Sequence, residues 1–183
     1  MNGDGYIVMS PSGTKFWPLN PRIEDINIKD IAHHLSNINR FTGGINYSVG
    51  QHSIWVARMC PDNMLAALLH DASEAYLCDL PTPLKHSDLF APYRCIERYL
   101  MWVIFKRYGI DAKIVGGELP EEVKGVDHLA GIIEGVSLMP ECGDSFWTQE
   151  GWKVKHYDVV YPRSPRAVEL EFLSLFDSLY YED

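Results

Sequence analysis

The sequence lacks several features that would point to whole classes of protein. Its four cysteines are separated by 18, 17 and 47 positions, so no C-x-x-C pair indicates a zinc knuckle or a redox-active dithiol, and reduced, mostly buried thiols are expected. No apolar run approaches the ~20 residues that a membrane-spanning helix needs. The N-terminus, MNGDGYIVMSPSG, has no basic stretch before an apolar one, so no secretory signal is indicated and a cytoplasmic location is expected.

Cationic residues are also scarce. The chain has 16 Lys and Arg against 25 Asp and Glu, a formal net charge of −9. Binding to a nucleic-acid duplex depends on many cations that meet phosphates, so we expect neither a nucleic-acid polymer nor a membrane as partner. A small phosphorylated substrate is compatible with this charge, because a few placed cations or a metal ion are enough to hold it.

The length and the hydrophobic periodicity indicate an all-α protein. A chain of 183 residues predicts one domain with its own core. We expect an extended arm over 1–26 laid on the surface, a core over about 27–140 and a C-terminal helix over about 164–181. The stretch 146–161 predicts a short hairpin or an ordered loop. Apolar residues at helical spacing, with Asn27 and Ser164 as caps, predict helices over 28–41, 48–60, 64–77, 91–109, 120–139 and 164–181.

One group of residues suggests chemistry. His70, Asp71 and Glu74 are predicted to share one side of the helix over 64–77, whose other residues are mostly apolar. Charged groups on a buried helix need partners or a metal, and His52 is expected to approach from the preceding helix. Imidazole and carboxylate are ligands of borderline divalent cations. The pair His33–His34 lies on a polar face without a nearby carboxylate and is interpreted as non-functional.

Three segments resemble a known family. GQHSIWVA, ALLHDASEAYLCDLPTPLK and VKGVDHLAGIIEG are similar to the HD-domain metal-dependent phosphohydrolases, in the branch of the bacterial 5′-deoxynucleotidases of the YfbR type and the phage dATP triphosphohydrolases. The string HDASEAYLCDLPTPLK covers sixteen consecutive positions of that branch, and the resemblance extends over about 28–140. It implies an all-α HD-domain bundle, in agreement with the independent helix prediction.

The resemblance implies a set of metal ligands: His52, His70, Asp71 and Asp127. Asp127 is preferred to Asp111, which adjoins a glycine break, and to Asp158, which lies in the segment with β-type residues. Two imidazoles among the ligands favour Co, Mn, Zn or Fe over Mg at this position, and a separate Mg²⁺ is expected on the phosphates of the substrate.

The resemblance also implies roles in catalysis and substrate binding. Glu74 corresponds to the residue beside the nucleophilic water, and Asp79 to one near the sugar or the scissile phosphate. Lys85 and Lys124 correspond to cations that hold phosphate oxygens. Arg40 and Phe41 correspond to an Arg-Trp pair beside the base, with Phe where the branch has Trp.

These correspondences predict a metal-dependent deoxynucleotide phosphohydrolase. The segment INRFTGGINYSVGQHS is more similar to the phage enzymes, so the favoured reaction is hydrolysis of dATP to deoxyadenosine and triphosphate, which depletes the dATP pool, in the host cytoplasm if the chain is phage-encoded. The alternatives are a 5′-deoxynucleotidase acting on deoxynucleoside monophosphates, a broader deoxynucleoside triphosphatase, a cyclic-nucleotide or alarmone hydrolase, and a catalytically silent nucleotide-binding module. The resemblance further implies a homo-oligomer, a dimer or a hexamer.

Overall fold

The structure, a computed structural model, describes residues 5–110, 118–139 and 161–181. Within these ranges it is mostly helical, which confirms the predicted all-α bundle. A two-stranded antiparallel hairpin, β1 (Ile7–Val8) and β2 (Lys15–Phe16), precedes them. The helices are α1 (Ile28–Asn37), α2 (Val49–Met59), α3 (Met64–Leu68), α4 (Glu74–Leu77), α5 (Thr82–Lys85), α6 (Ala91–Arg107), α7 (Glu121–Leu138) and α8 (Pro165–Tyr180).

Short polar side chains determine where three of the helices begin. The side chain of Asn27 accepts a hydrogen bond from the backbone N–H of Lys29, and the hydroxyl of Ser164 accepts one from Ala167. Ser48 does the same at the start of α2. Each of these contacts satisfies a backbone donor that has no partner within its helix. The predicted caps of α1 and α8 are therefore confirmed.

Helix α2 occupies the centre of the bundle. It contacts α1, α3, α7 and α8, and α1 also packs along α8. Leu35 of α1 and Phe172 and Phe176 of α8 are fully buried in the resulting core. Burying a side chain of this size contributes about 1.5–3 kcal/mol. A residue on the inner face of α2 is thus held by helices on several sides.

The predicted continuous helix over 64–77 is wrong. Helix α3 ends at Leu68, and α4 begins only at Glu74. Between them the backbone N–H groups of His70, Ala72 and Glu74 donate to carbonyls three residues earlier rather than four. The chain between Leu68 and Glu74 therefore winds more tightly than an α-helix, with about three residues per turn. Successive side chains are thus separated by a larger angle about the axis of the turn than in an α-helix.

The N-terminal arm is extended but is not only laid on the surface. Three of its apolar residues are buried in the core: Met9 of the hairpin loop, Phe16 of β2 and Ile26. The centre of the Phe16 ring lies 4.2 Å from the centre of the Tyr76 ring. The expected surface position is wrong for these residues, because their apolar side chains are part of the hydrophobic core.

The other sequence expectations have mixed outcomes. The described cysteines are free thiols, but only Cys60 is buried, whereas Cys78 and Cys95 are exposed. The predicted hairpin or loop at 146–161, apart from its last residue, lies outside the described residues, and so do Asp111 and Asp158. Among the helices that the structure describes, none is long and apolar enough to cross a membrane.

Candidate metal centre

Two histidines and two aspartates from three parts of the chain meet at one point. His52 comes from the middle of α2, His70 and Asp71 from the turn between α3 and α4, and Asp127 from α7. The Nε2 atom of His52 lies 3.2 Å from Nε2 of His70 and 2.9 Å from Oδ1 of Asp127. Asp71 Oδ2 lies 3.1 Å from His70 Nε2. The structure thus brings together the four residues that the resemblance implied.

The outer nitrogen of each imidazole is held by a hydrogen bond. Nδ1 of His70 lies 2.7 Å from the carbonyl oxygen of Ala67, which can only accept, so this nitrogen carries the proton. Nδ1 of His52 lies 2.7 Å from Oε1 of Glu134, which also accepts a hydrogen bond from the Tyr47 hydroxyl. In the neutral form both rings therefore direct the lone pair of Nε2 towards the other members of the cluster.

This donor set fits a divalent cation. The Nε2 atoms lie 2.9–3.8 Å from one another or from a carboxylate oxygen, and their lone pairs repel unless a proton or a metal ion lies among them. Bonds of ~2.0–2.2 Å from a metal place neighbouring ligand atoms roughly 3 Å apart, which is close to the separations found here. The ligand atoms of His52, His70 and Asp127 all lie within 4.8 Å of one another, so this buried group could hold a metal ion.

The electrostatics of the cluster also favour a cation. Burial alone would lower the pKa of His70, but the carboxylates of Asp71 and Asp127 raise it well above its ordinary value. Burial alone would raise the pKa of Asp71, but His70 lowers it to about 2. The two carboxylates are thus ionised at neutral pH and create a negative potential that a divalent ion would neutralise.

A cavity of about 320 Å³ opens beside the cluster. Asp71 and Asp127 form part of its wall, and the other charged residues of the lining are Glu74, Asp79, Lys85 and Arg40. Burial and the nearby carboxylates of Asp71 and Asp79 raise the pKa of Glu74 well above its ordinary value. Burial likewise raises the pKa of Asp79. The site therefore holds two carboxyl groups beside the metal ligands, each with a pKa above that of an exposed carboxyl group, so each is a stronger base than an exposed one.

Two cations line the same cavity. Lys85 lies on α5. Its Nζ atom is 3.9 Å from Oε1 of Glu74 and 2.5 Å from Oε1 of Glu97, which lies on α6. Arg40 precedes a short turn between α1 and α2, and its Nη1 lies 3.9 Å from Asp71 Oδ2. Its Nε forms an ion pair with Oε2 of Glu134 at 3.0 Å. Phe41 follows Arg40 in the lining, with the guanidinium 5.7 Å from the centre of its ring.

The resemblance implied that Lys124 binds phosphate, but Lys124 does not line the cavity. It lies on the exposed side of α7, where Nζ pairs with Glu121 at 2.7 Å. It is separated from Asp127 by less than one helical turn, but its side chain follows the surface of the helix. Arg40 supplies the second cation of the cavity instead.

Glu134 was not anticipated from the sequence. Its side chain is fully buried and connects His52, Tyr47 and Arg40. Burial alone would raise its pKa, but His52 and Arg40 hold the pKa below its ordinary value, so the carboxylate is charged. A signal was present: Glu134 follows Asp127 by seven residues, which is two turns along one face of a helix.

Fold and site together define an all-α protein with a buried His/Asp cluster that can hold a metal ion. No family model matches the chain. It is 34% identical over 172 residues to the uncharacterized protein YfdR of Escherichia coli (strain K12), and the match covers 92% of both chains. The chain therefore belongs to the same family as YfdR. It is also 34% identical over 139 residues to the uncharacterized protein RCAP_rcc00048 of Rhodobacter capsulatus, covering 69% of this chain and 70% of that protein.

Proposed function

We propose that this protein is a metal-dependent phosphohydrolase of the HD-domain type that acts on deoxynucleotides. The observation that carries the proposal is the joint position of the His52, His70, Asp71 and Asp127 cluster and a cavity lined by further carboxylates and two cations. Metal ligands alone would suit a structural site, which is normally closed on all sides. An open cavity with proton-exchanging groups and phosphate-binding cations is typical of catalysis.

The four clustered side chains would hold a divalent transition metal, with Co²⁺, Mn²⁺, Zn²⁺ or Fe²⁺ favoured by the two imidazoles. Such an ion supplies two things when bound: it lowers the pKa of water from ~15.7 towards ~7, and it polarises a phosphoryl oxygen. To bind the ion, both imidazoles must give up the Nε2 proton that the nearby carboxylates favour through the raised pKa of His52 and His70. The hydrogen bonds on both Nδ1 atoms then leave Nε2 as the coordinating nitrogen.

Glu74 is the proposed proton acceptor. It lines the cavity beside Asp71, and its raised pKa makes its carboxylate a stronger base than an exposed glutamate. In the proposed reaction the oxygen of water forms a bond to the α-phosphorus of dATP, and the bond from that phosphorus to the 5′-oxygen breaks. One proton of the water passes to Glu74, and the 5′-oxygen leaves as the hydroxyl of deoxyadenosine after it gains a proton. Asp79, with its raised pKa, is positioned in the same lining to take part in this second transfer.

Lys85 and Arg40 are the proposed phosphate-binding groups. Glu97 holds Lys85 at the edge of the cavity, and Glu134 holds Arg40 near Asp71. Guanidinium and ammonium groups bind phosphate oxygens through charge-assisted hydrogen bonds. Two such groups, with a Mg²⁺ ion on the phosphates, suit a triphosphate better than a monophosphate, because more negative charge must be compensated.

The choice of dATP is supported by the resemblance of the segment around His52 to the phage enzymes. The alternatives are a monophosphate-specific deoxynucleotidase, a broader deoxynucleoside triphosphatase and a silent binding module. A homo-oligomer and a cytoplasmic location belong to the same proposal.

A nucleotide panel tests the proposed class directly. The purified protein is freed of metal with a chelator, reloaded with Mn²⁺ or Co²⁺, and assayed for release of phosphate or polyphosphate from deoxynucleoside mono- and triphosphates. We expect turnover only after reloading, with Asp127→Ala as the inactive control. Equal turnover before and after chelation would contradict a metal-dependent reaction, and no turnover of any nucleotide would favour a silent module.

A further inference from the structure

A second cavity of about 760 Å³ adjoins the first. Arg40, Lys85 and Asp127 line both, so the two cavities meet at these side chains beside the metal centre. Its volume falls within the ~300–1,000 Å³ that is typical of small-molecule sites. A ligand whose phosphate lies at the metal centre could therefore extend into this second space.

The two cavities differ in the chemistry of their walls. Four carboxylates line the first, whereas Asp127 is the single carboxylate among the described residues that line the second. The second cavity takes much of its wall from Pro83 of α5 and from Gly131 and Ile132 of α7. An uncharged ring system gains free energy by covering such carbon surface. The two cations line both cavities, so it is the proposed metal ion among the clustered ligands that draws the phosphates to the first.

Gly131 lines the second cavity, although the packing of α7 does not require a glycine there. It lies in the interior of an 18-residue helix, where glycine is less stable than alanine. A Cβ atom added at this position would meet only Nη2 of Arg40, at an ordinary contact distance of 3.8 Å. Close packing therefore does not explain the glycine, and its missing side chain enlarges the second cavity.

We propose that Gly131 is a specificity-determining residue, which keeps the second cavity open for the nucleoside of the substrate. This inference rests on the proposed function and extends it, because it assigns the nucleoside and the phosphates to separate cavities. It also differs from the sequence-based expectation, in which Phe41 lies beside the base.

A pair of glycines on the same helix provides the test. Gly131→Leu projects a side chain into the second cavity and narrows it. Gly125→Leu is the matched control, because a Cβ atom at Gly125 meets nothing within 4 Å. Both changes replace glycine by a better helix former, so neither should lower the melting temperature. Binding of dATP and of inorganic triphosphate is measured by calorimetry on the metal-loaded Glu74→Gln protein, in which turnover is slowed.

We expect Gly131→Leu to weaken dATP binding by at least ~10-fold, since a misfit of one methylene group in an apolar pocket is already worth ~10–200-fold. Inorganic triphosphate, which has no nucleoside, should bind the variant as it binds the parent protein. Gly125→Leu should leave both affinities unchanged. If Gly131→Leu does not fold, Gly131→Ala replaces it, with a smaller loss confined to dATP.

Two results would overturn the inference while leaving the proposed hydrolase intact: dATP affinity equal in the Gly131 and Gly125 variants, or equal loss of both probes in Gly131→Leu. A selective loss of dATP binding in a protein that hydrolyses no nucleotide would support the cavity assignment and contradict the proposed reaction. Failure of the parent protein to bind dATP at all would overturn both.

Discussion

Oε1 of Glu134 lies 2.7 Å from Nδ1 of His52, and both side chains are fully buried. A charged carboxylate in this position fixes the orientation of the imidazole and makes its other nitrogen a stronger metal ligand. The same carboxylate holds Arg40 through its second oxygen. One buried glutamate thus supports a proposed metal ligand and a proposed phosphate-binding group at once.

The first prediction concerns this support. Glu134→Ala should weaken metal binding by ~10–100-fold, the usual effect of losing a partner of a ligating histidine. Glu134→Gln should have a smaller effect, because the amide oxygen can still accept from Nδ1 although the charge is lost. Tyr47→Phe is the milder control, since it removes only the hydroxyl that donates to Glu134. Affinities are measured by competition with a chromophoric chelator, and an unchanged affinity in Glu134→Ala would contradict the assigned role.

The second prediction concerns the ligands themselves. His70→Ala and Asp127→Ala should each lose bound metal and activity together, because an incomplete ligand set binds the ion weakly. Metal content per chain is determined by mass spectrometry after gel filtration. His33→Ala serves as the control, since His33 lies on α1 with Nδ1 3.3 Å from Oε2 of Glu169 of α8 and is not part of the cluster. The expectation that no carboxylate lies near His33 is therefore wrong, because packing of α8 against α1 supplies one. Full metal occupancy in His70→Ala would mean that the cluster is not the metal site.

The third prediction separates catalysis from metal binding. Glu74→Gln should retain the metal and lose ~10²–10⁴-fold in kcat, the usual contribution of a positioned acid–base group. The measurement combines metal content with steady-state kinetics on the same preparation. Turnover close to that of the parent protein would assign Glu74 a structural role.

Two lysines give the fourth prediction. Lys85→Ala should raise KM for a nucleoside triphosphate by ~10–100-fold, because a hydrogen bond to a charged group is worth ~1.5–3 kcal/mol. Lys124→Ala should leave KM unchanged, because Lys124 pairs with Glu121 on the exposed side of α7. An equal change of KM in Lys85→Ala and Lys124→Ala would show that the cavity lined by Lys85 does not hold the phosphates.

Local patterns predicted much of the fold. Asn27 and Ser164 begin their helices as their side-chain chemistry requires, and apolar spacing located α1, α2, α6, α7 and α8. The break after Leu68 was not predictable in the same way. Apolar residues with nearly the same spacing suit both an α-helix and a tighter turn with hydrogen bonds three residues apart.

The site could be predicted only as far as its own motifs extend. His52, His70, Asp71 and Asp127 lie together as the resemblance implied. The roles of Glu134 and Lys124 depend on tertiary packing, which turns Glu134 inward to His52 and leaves Lys124 beside Glu121. Position along α7 alone places both residues near Asp127 and does not distinguish them.

The most direct test of the central claim is product analysis of dATP hydrolysis in ¹⁸O-labelled water. The Co²⁺- or Mn²⁺-loaded protein is incubated with dATP in this water. The products are separated by chromatography, and their masses are measured by mass spectrometry. The account predicts deoxyadenosine without label and triphosphate that carries one ¹⁸O, because water attacks the α-phosphorus and the 5′-oxygen stays with the sugar. Formation of dAMP with pyrophosphate, of dADP with phosphate, or of no product would contradict it.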